Sequence, residues 1–317
     1  MAMKVVPTII GVDVAKAELA VYRADADQLE RVDNSRDAIK AWLATLAAGS
    51  TVAIEATNTY HLELAEQAHA RGHSIYVIDG YRLNHYREGI GGRAKTDASD
   101  ARLLARYLAH ERDQLLPWSP PPPAYHHLQR LLRRRARLVK ARVVLQQSFD
   151  EATLAAMLKP VLTGIKQLES RLERSLLQVA REAGLADSIK RCLALEGVGP
   201  LTACALNMAY LRGRFRHSDA FIAFLGLDVR VRDSGRSRGR RKLTKQGDPE
   251  LRRLLHNAAM AASRSATWKP FYQRHLDRGL TRTQALVALA RKLARVAFAL
   301  MKQESDYQPQ SGACGAT

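Results

Sequence analysis

A run of prolines at residues 117–123, Pro-Trp-Ser-Pro-Pro-Pro-Pro, divides the chain. Proline fixes φ, lacks an amide hydrogen and pushes the residue before it out of the helical region, so this stretch is extended and can join neither a helix interior nor a central strand. The segments on either side must therefore build separate cores, and they differ in pattern: strand and helix alternate before the prolines, and helices dominate after them. The expected division is an α/β domain over 1–116, a linker over 117–124, a helical coiled-coil arm over 125–184, a mostly α domain over 185–303 and a disordered tail over 304–317.

Residues 8–23, Thr-Ile-Ile-Gly-Val-Asp-Val-Ala-Lys-Ala-Glu-Leu-Ala-Val-Tyr-Arg, predict two strands joined by a turn near Lys16. A third short strand runs through Glu30 to Val32, followed by a helix from Arg36 to about Leu46 capped by Asn34 or Ser35. Thr51 to Ala56 is β-rich and puts Glu55 at the C-terminal end of its strand; a helix over Tyr60 to Arg71 and a strand over Ser74 to Ile78 continue the alternation. Tyr81 to Lys95 reads as a loop containing Gly and Arg. Thr96 then reads as the N-cap of a helix that begins at Asp97 and buries Leu103, Leu104, Tyr107 and Leu108.

Four carboxylates stand out in this part. Asp13 interrupts an apolar strand, where a structural role is hard to find for it. Asp97 and Asp100 lie three apart on one helical face, although acids in a first turn also simply complement the helix dipole, and Glu55 alone could face water. The order of elements resembles the ribonuclease H-like fold, in which an acid on the first strand, one at the end of the fourth and one or two on a late helix converge. Asp13, Glu55, Asp97 and Asp100 occupy those places. Like charges gathered this closely suppress each other's ionisation unless cations sit among them. Hard carboxylate oxygens suit Mg²⁺, and two such ions about 4 Å apart serve phosphodiester cleavage. Arg93 and Lys95, next to this site in sequence, are candidates to hold a phosphate.

The chain holds 50 Lys plus Arg against 31 Asp plus Glu, a net charge of +19, which favours a polyanionic partner, nucleic acid first. Tyr125 to about Gln147 has a helical pattern, with Leu128, Leu131, Leu132, Leu138, Val139 and Leu145 on the apolar side and no acid from Gln129 onward; Arg133, Arg134 and Arg137 are phosphate-contact candidates there. Pro160 is expected to break or kink the continuation before a second helix from about Val161 to Ala183, and such a hairpin also suits dimerisation. Residues 193–206, Leu-Ala-Leu-Glu-Gly-Val-Gly-Pro-Leu-Thr-Ala-Cys-Ala-Leu, resemble half of a helix-hairpin-helix element, with Gly197 and Gly199 letting backbone amides approach a phosphate and Pro200 in the next helix's first turn.

Farther on, Arg236, Arg238, Arg240, Arg241, Lys242 and Lys245 form a basic run without an acid, suited to a phosphate backbone. Asp248 caps an expected helix over Pro249 to Arg264, and a last helix spans about Thr281 to Lys302. Ser234, between Asp233 and Gly235, is the one hydroxyl in a tight, basic, Gly-flanked setting, where most serines are turn residues. Cys192, Cys204 and Cys314 are widely spaced, form no zinc pattern and are expected to be reduced. No apolar run approaches a membrane span and the N-terminus has no signal-peptide core, so a cytoplasmic location without a membrane partner is expected.

Taken in order, Gly-Val-Asp-Val-Ala-Lys, Ile-Glu-Ala-Thr, Lys-Thr-Asp-Ala-Ser-Asp-Ala, Leu-Glu-Gly-Val-Gly-Pro-Leu-Thr-Ala, and Phe-Leu-Gly-Leu followed by Asp-Ser-Gly resemble the DEDD transposases of the IS110 group, relatives of the Piv invertases, over roughly residues 8–300. The resemblance implies a RuvC-like N-terminal domain whose acids Asp13, Glu55, Asp97 and Asp100 bind Mg²⁺, and a C-terminal transposase domain whose nucleophile is Ser234. In that family the serine is understood to attack DNA and hold a strand covalently while the metal-bound acids assist. Members are understood to form homo-oligomers, here a dimer or tetramer, with acids of one subunit meeting the serine of another. They act on element ends and target DNA, guided by a structured noncoding RNA. The chain departs from the family pattern before the serine: a Pro and a second Ser are frequent there, and here stand Asp228, Val229 and Asp233. Two other readings fit the residues: a RuvC-like nuclease or junction resolvase that uses metal-activated water, and a binding module without catalysis.

Overall fold

A computed structural model describes residues 8–91, 96–213, 215–230, 233–234, 237–238 and 241–308. The chain divides into two compact units, Met1–Pro120 and Pro121–Thr317.

In the first unit β1 (Ile9–Val14), β2 (Glu18–Arg23) and β3 (Gln28–Asp33) form an antiparallel meander. β4 (Thr51–Glu55) and β5 (Ser74–Ile78) continue the sheet parallel to β1, in the order β3-β2-β1-β4-β5. Parallel pairing demands crossovers, and α1 (Arg36–Leu43), capped by the Ser35 side chain, and α2 (Leu62–Ala70) provide them. Alternate residues of a strand face opposite sides, which sorts the layers. Ile10, Val12 and Val14 join Val52, Ile54 and Ile75 under Ile39, Trp42, Leu43 and Leu64 of the two crossover helices. Ala53, Tyr76 and Ile78 meet Leu83, Leu103, Leu104, Tyr107 and Leu108 on the other side.

That second layer holds α3 (Gly80–Gly89) and α4 (Asp97–Glu111). The segment expected to be a loop from Tyr81 is thus largely a helix. Asp79 caps it by accepting from the Tyr81 and Arg82 amides, and Leu83 anchors it in the core. Arg93 and Lys95 lie outside the described residues. The start of the proline stretch is docked rather than free: the Trp118 amide donates to the Ile75 carbonyl at 2.6 Å, and its indole is buried in the crossover-helix layer.

In the second unit α5 (Pro123–Ser148) and α6 (Ala152–Glu182) form an antiparallel hairpin joined by the ion pairs Arg135–Glu173 at 2.5 Å and Arg142–Glu169 at 2.9 Å. Pro160 does not break α6. It removes a single amide donor, on a largely exposed turn where water can satisfy the freed carbonyl, and the surrounding Ala, Leu and Met residues favour helix. α7 (Ala186–Leu193), α8 (Pro200–Leu211) and α9 (Ser218–Phe224) follow. Two small ribbons come next, β6 (Val229–Arg230) with β9 (Lys242–Leu243), and β7 (Asp233–Ser234) with β8 (Ser237–Arg238). α10 (Pro249–Ala262), α11 (Lys269–Asp277) and α12 (Arg282–Gln303) complete the unit, and Leu289, Leu293, Ala297 and Phe298 of α12 join Phe221, Leu255 and Cys204 in its core. The short helices α7, α9 and α11 were not among the expected elements; at seven to nine residues each, they show too little periodicity to stand out.

Candidate active site

The acid cluster of the first unit begins with a glycine. Gly11 and Asp13 share one face of β1, and a Cβ at Gly11 would overlap the Ala101 carbonyl oxygen and come 2.7 Å from the Ala105 nitrogen. α4 therefore rests on the bare backbone of β1, which brings its first turn to the strand's C-terminal end. A capping box fixes that turn: the Ser99 amide donates to Thr96 Oγ1 at 3.2 Å and the Thr96 amide to Ser99 Oγ at 2.9 Å. β4 lies parallel to β1 with Val12 opposite Ile54, so the next residues, Asp13 and Glu55, are neighbours at the same sheet edge and on the same face.

Asp13 is half-buried, and its carboxyl is pushed up to about 6. Burial is the largest cause, followed by the negative charges of Glu55, Asp100 and Asp97, with a backbone hydrogen bond at Val14 pulling the other way. All four expected acids thus belong to one electrostatic cluster. Asp100 is buried, and Arg87 Nη2 donates to its Oδ1 at 2.6 Å, with the two side chains 7% and 10% exposed respectively. Arg87 Nη1 also donates to Asn84 Oδ1 at 3.3 Å. Asp97 is exposed in the first turn of α4. A Cβ at Gly80 would lie 2.5 Å from Glu55 Oε1, so the first residue of α3 leaves the space that the carboxylate uses.

Among the described residues, no three His, Cys, Asp or Glu side chains already close around one point as a metal-ligand set. The four acids nonetheless fit a divalent cation in donor type and in charge: all are hard oxygen donors, and the half-buried member carries an excess of negative charge around it. Gly11, Gly80 and Arg87 escaped the sequence reading. The cap Asp79 followed by Leu83, Tyr86 and Ile90 at helical spacing was the signal for α3.

Ser234 belongs to the second unit. Its backbone lies in β7, in register with Ser237 of β8. The ribbon base is tied by Asp228, whose carboxylate accepts from the Thr244 hydroxyl and whose carbonyl accepts from the Thr244 amide at 3.0 Å. The backbone of Arg238 is in β8, Arg241, Lys242 and Lys245 are exposed, and Arg236 and Arg240 lie outside the described residues. On α5, Arg134 and Arg137 are exposed, and Arg133 approaches Asp248 at 3.8 Å beside a groove that Arg137 and Lys140 also line.

Gly197 turns the chain between α7 and α8 with φ +90°, and a Cβ there would overlap the Ala258 carbonyl oxygen and lie 2.6 Å from the Ala262 nitrogen of α10. Helix packing thus requires this glycine. Gly199 is the N-cap of α8 before Pro200, and nothing lies within 4 Å of a Cβ built on it. Cys192 and Cys204 are free and buried, and burial raises their thiols to about 11 and about 12, which leaves them unreactive; Cys314 lies outside the described residues. No helix among the described residues is long and apolar enough to cross a membrane.

Residues 10–157 match the transposase family model DEDD_Tnp_IS110, and residues 190–273 match that of the transposase IS116/IS110/IS902 family. The pilin gene-inverting protein of Moraxella bovis is 27% identical over 269 residues, 80% of each chain. A probable family 20 transposase of Pseudomonas aeruginosa is 27% identical over 340 residues, covering 95% of this chain and 98% of its own. An uncharacterized 42 kDa protein of the insertion element IS900 of Mycobacterium paratuberculosis is 26% identical over 392 residues, covering 96% and 98%.

Proposed function

Because this chain belongs to the IS110 family of DEDD transposases, we propose that it exchanges DNA strands through a covalent serine intermediate, with Asp13, Glu55, Asp97 and Asp100 holding Mg²⁺ and Ser234 as the nucleophile. The single observation that carries the metal half of this reading is Asp13: a half-buried carboxyl surrounded by the charges of three other acids is unfavourable for folding, and such placement is typical of a site selected for chemistry. The sheet order β3-β2-β1-β4-β5, with acids on β1, β4 and α4, supports a ribonuclease H-like, RuvC-type domain.

A serine hydroxyl is a weak nucleophile at neutral pH and needs help to lose its proton. Bound divalent cations would lower the hydroxyl's pKa and offset charge on the transferring phosphate. In the proposed step the Ser234 oxygen forms a bond to phosphorus and the bond from phosphorus to one sugar oxygen breaks. The departing oxygen leaves as a hydroxyl, taking up a proton equivalent to the one that the serine gave up. Attack of a hydroxyl from another strand on the phosphoserine reverses these changes and restores Ser234, so phosphodiester bonds are exchanged rather than lost. The carboxylates hold the cations and steer the charge, and the exposed Arg241, Lys242 and Lys245 beside the ribbon grip the phosphate backbone.

The acids and the serine lie in different units, which is compatible with a centre shared between copies of the chain, a dimer or tetramer, acting on element ends and target DNA and guided by a structured RNA. Incubation with nicked substrate DNA and Mg²⁺, followed by a denaturing gel, tests the proposal. The wild type should leave a protein-DNA adduct attached at Ser234, and Ser234→Ala should leave none. Normal recombination by Ser234→Ala, or cleavage with free ends and no adduct, would favour hydrolysis by metal-activated water instead.

A further inference from the structure

We propose that α3 is the positioning element of the acid cluster: Arg87 is its resident counter-charge, clamping Asp100 and competing with the cation, and Gly80 keeps open the space of the Glu55 carboxylate. The inference rests on the reading of the four acids as a cation site. Gly80 and Arg87 are seven residues apart, two helical turns, so they lie on one face of α3, and Leu83 between them pins that face into the core. One helix therefore sets two of the four acids.

A buried carboxylate needs a partner, and the Arg87–Asp100 pair is almost closed to solvent. The guanidinium is held as a fork, with Nη2 on Asp100 and Nη1 on Asn84, which fixes both its own plane and the direction of the carboxylate. On the solvent side of α3, His85 and Glu88 pair with each other, whereas Arg87 is buried against Asp100 of the cluster. A guanidinium and a divalent cation are alternative partners for the same oxygens. Removing the guanidinium should therefore tighten cation binding and slow the chemistry, because the repulsion goes and the alignment goes with it.

The test is a titration of Mn²⁺ into the full-length protein, with free Mn²⁺ read by electron paramagnetic resonance, beside strand-cleavage rates at saturating metal. Arg87→Gln should bind Mn²⁺ at least about tenfold more tightly, since a unit charge a few ångströms away is only weakly screened at this nearly closed pair, and cleave at least about tenfold more slowly. Arg87→Lys keeps the charge and loses the fork, so it should bind as the wild type does and still cleave slowly. A purely structural Arg87 would lower affinity, rate and melting temperature together; unchanged or weaker binding in Arg87→Gln overturns its role here. Gly80→Ala should bind Mn²⁺ about tenfold more weakly without a lower melting temperature, since alanine is otherwise the better helix former. Unaltered binding in that variant removes Gly80 from the proposal. Failure of the underlying reading looks different: the wild type would take up no Mn²⁺, or Asp13→Asn would take it up equally well.

Discussion

At the scale of single residues, Asp13 links stability to function with a definite sign. Its folded-state value of about 6 lies above the ordinary 3.8, so the folded protein holds this proton more tightly than the unfolded chain does. The stability it contributes is complete below about pH 4 and is lost as pH rises through 6. Asp13→Asn should therefore be more stable than the wild type at pH 7, by roughly 1–2 kcal/mol after allowing for solvent screening of a half-exposed group, and equal to it near pH 3.5. Denaturant melts at both pH values check this, and recombination should be abolished. Gly11 makes the opposite prediction: Gly11→Ala must push α4 off β1, with a loss of about 1–3 kcal/mol or more in the same melts, since overpacking against backbone cannot be relieved by a rotamer change. Asp13 was legible in the sequence because a charge inside an apolar strand contradicts its surroundings. The three other acids were legible only through the order of the elements around them. Gly11 was not, because the Ala101 and Ala105 backbone atoms that need it come from a helix about 90 residues away, a distance that no local pattern carries.

At the scale of elements, strands and long helices followed from alternation and caps: Thr96 and Asp248 cap the helices expected of them, Ser35 rather than Asn34 caps α1, and Thr281, expected only as the start of the last helix, is its N-cap. α3 was lost behind its composition. Gly and Arg suggested a loop, whereas the Asp79 cap and a few apolar positions were enough once tertiary packing supplied the rest. The arginines of α5 show a related limit. The segment has no acid of its own, yet Arg135 and Arg142 find theirs on α6, so part of a basic run that looked free for phosphate serves the hairpin. The turn between α7 and α8 separates packing from ligand contact experimentally. Gly197→Ala should destabilise the protein by about 2 kcal/mol or more, because both its φ and its space exclude a side chain. Gly199→Ala meets no neighbouring atom and should cost only about 1 kcal/mol, the disadvantage of alanine at a helix N-cap, so a loss of DNA affinity larger than that small destabilisation explains reports on binding.

At the scale of the whole molecule, charge follows the division into units. Residues 1–120 hold 14 Lys plus Arg against 16 Asp plus Glu, a net −2, whereas residues 121–317 hold 36 against 15, a net +21. Affinity for nucleic acid should therefore be dominated by the second unit and fall steeply with salt. Replacing Arg241, Lys242 and Lys245 together with Gln should flatten the plot of log affinity against log salt by about 2–3, near one for each phosphate no longer neutralised, with little dependence on DNA sequence. Filter binding across a salt series measures it. Asp13→Asn should leave that slope where it was, since its unit contributes almost no net attraction. Such a polarised molecule can stay moored to a strand while its acids are idle, so an encounter that fails to bring them into play need not end in release, and repeated attempts at one locus come without a fresh search.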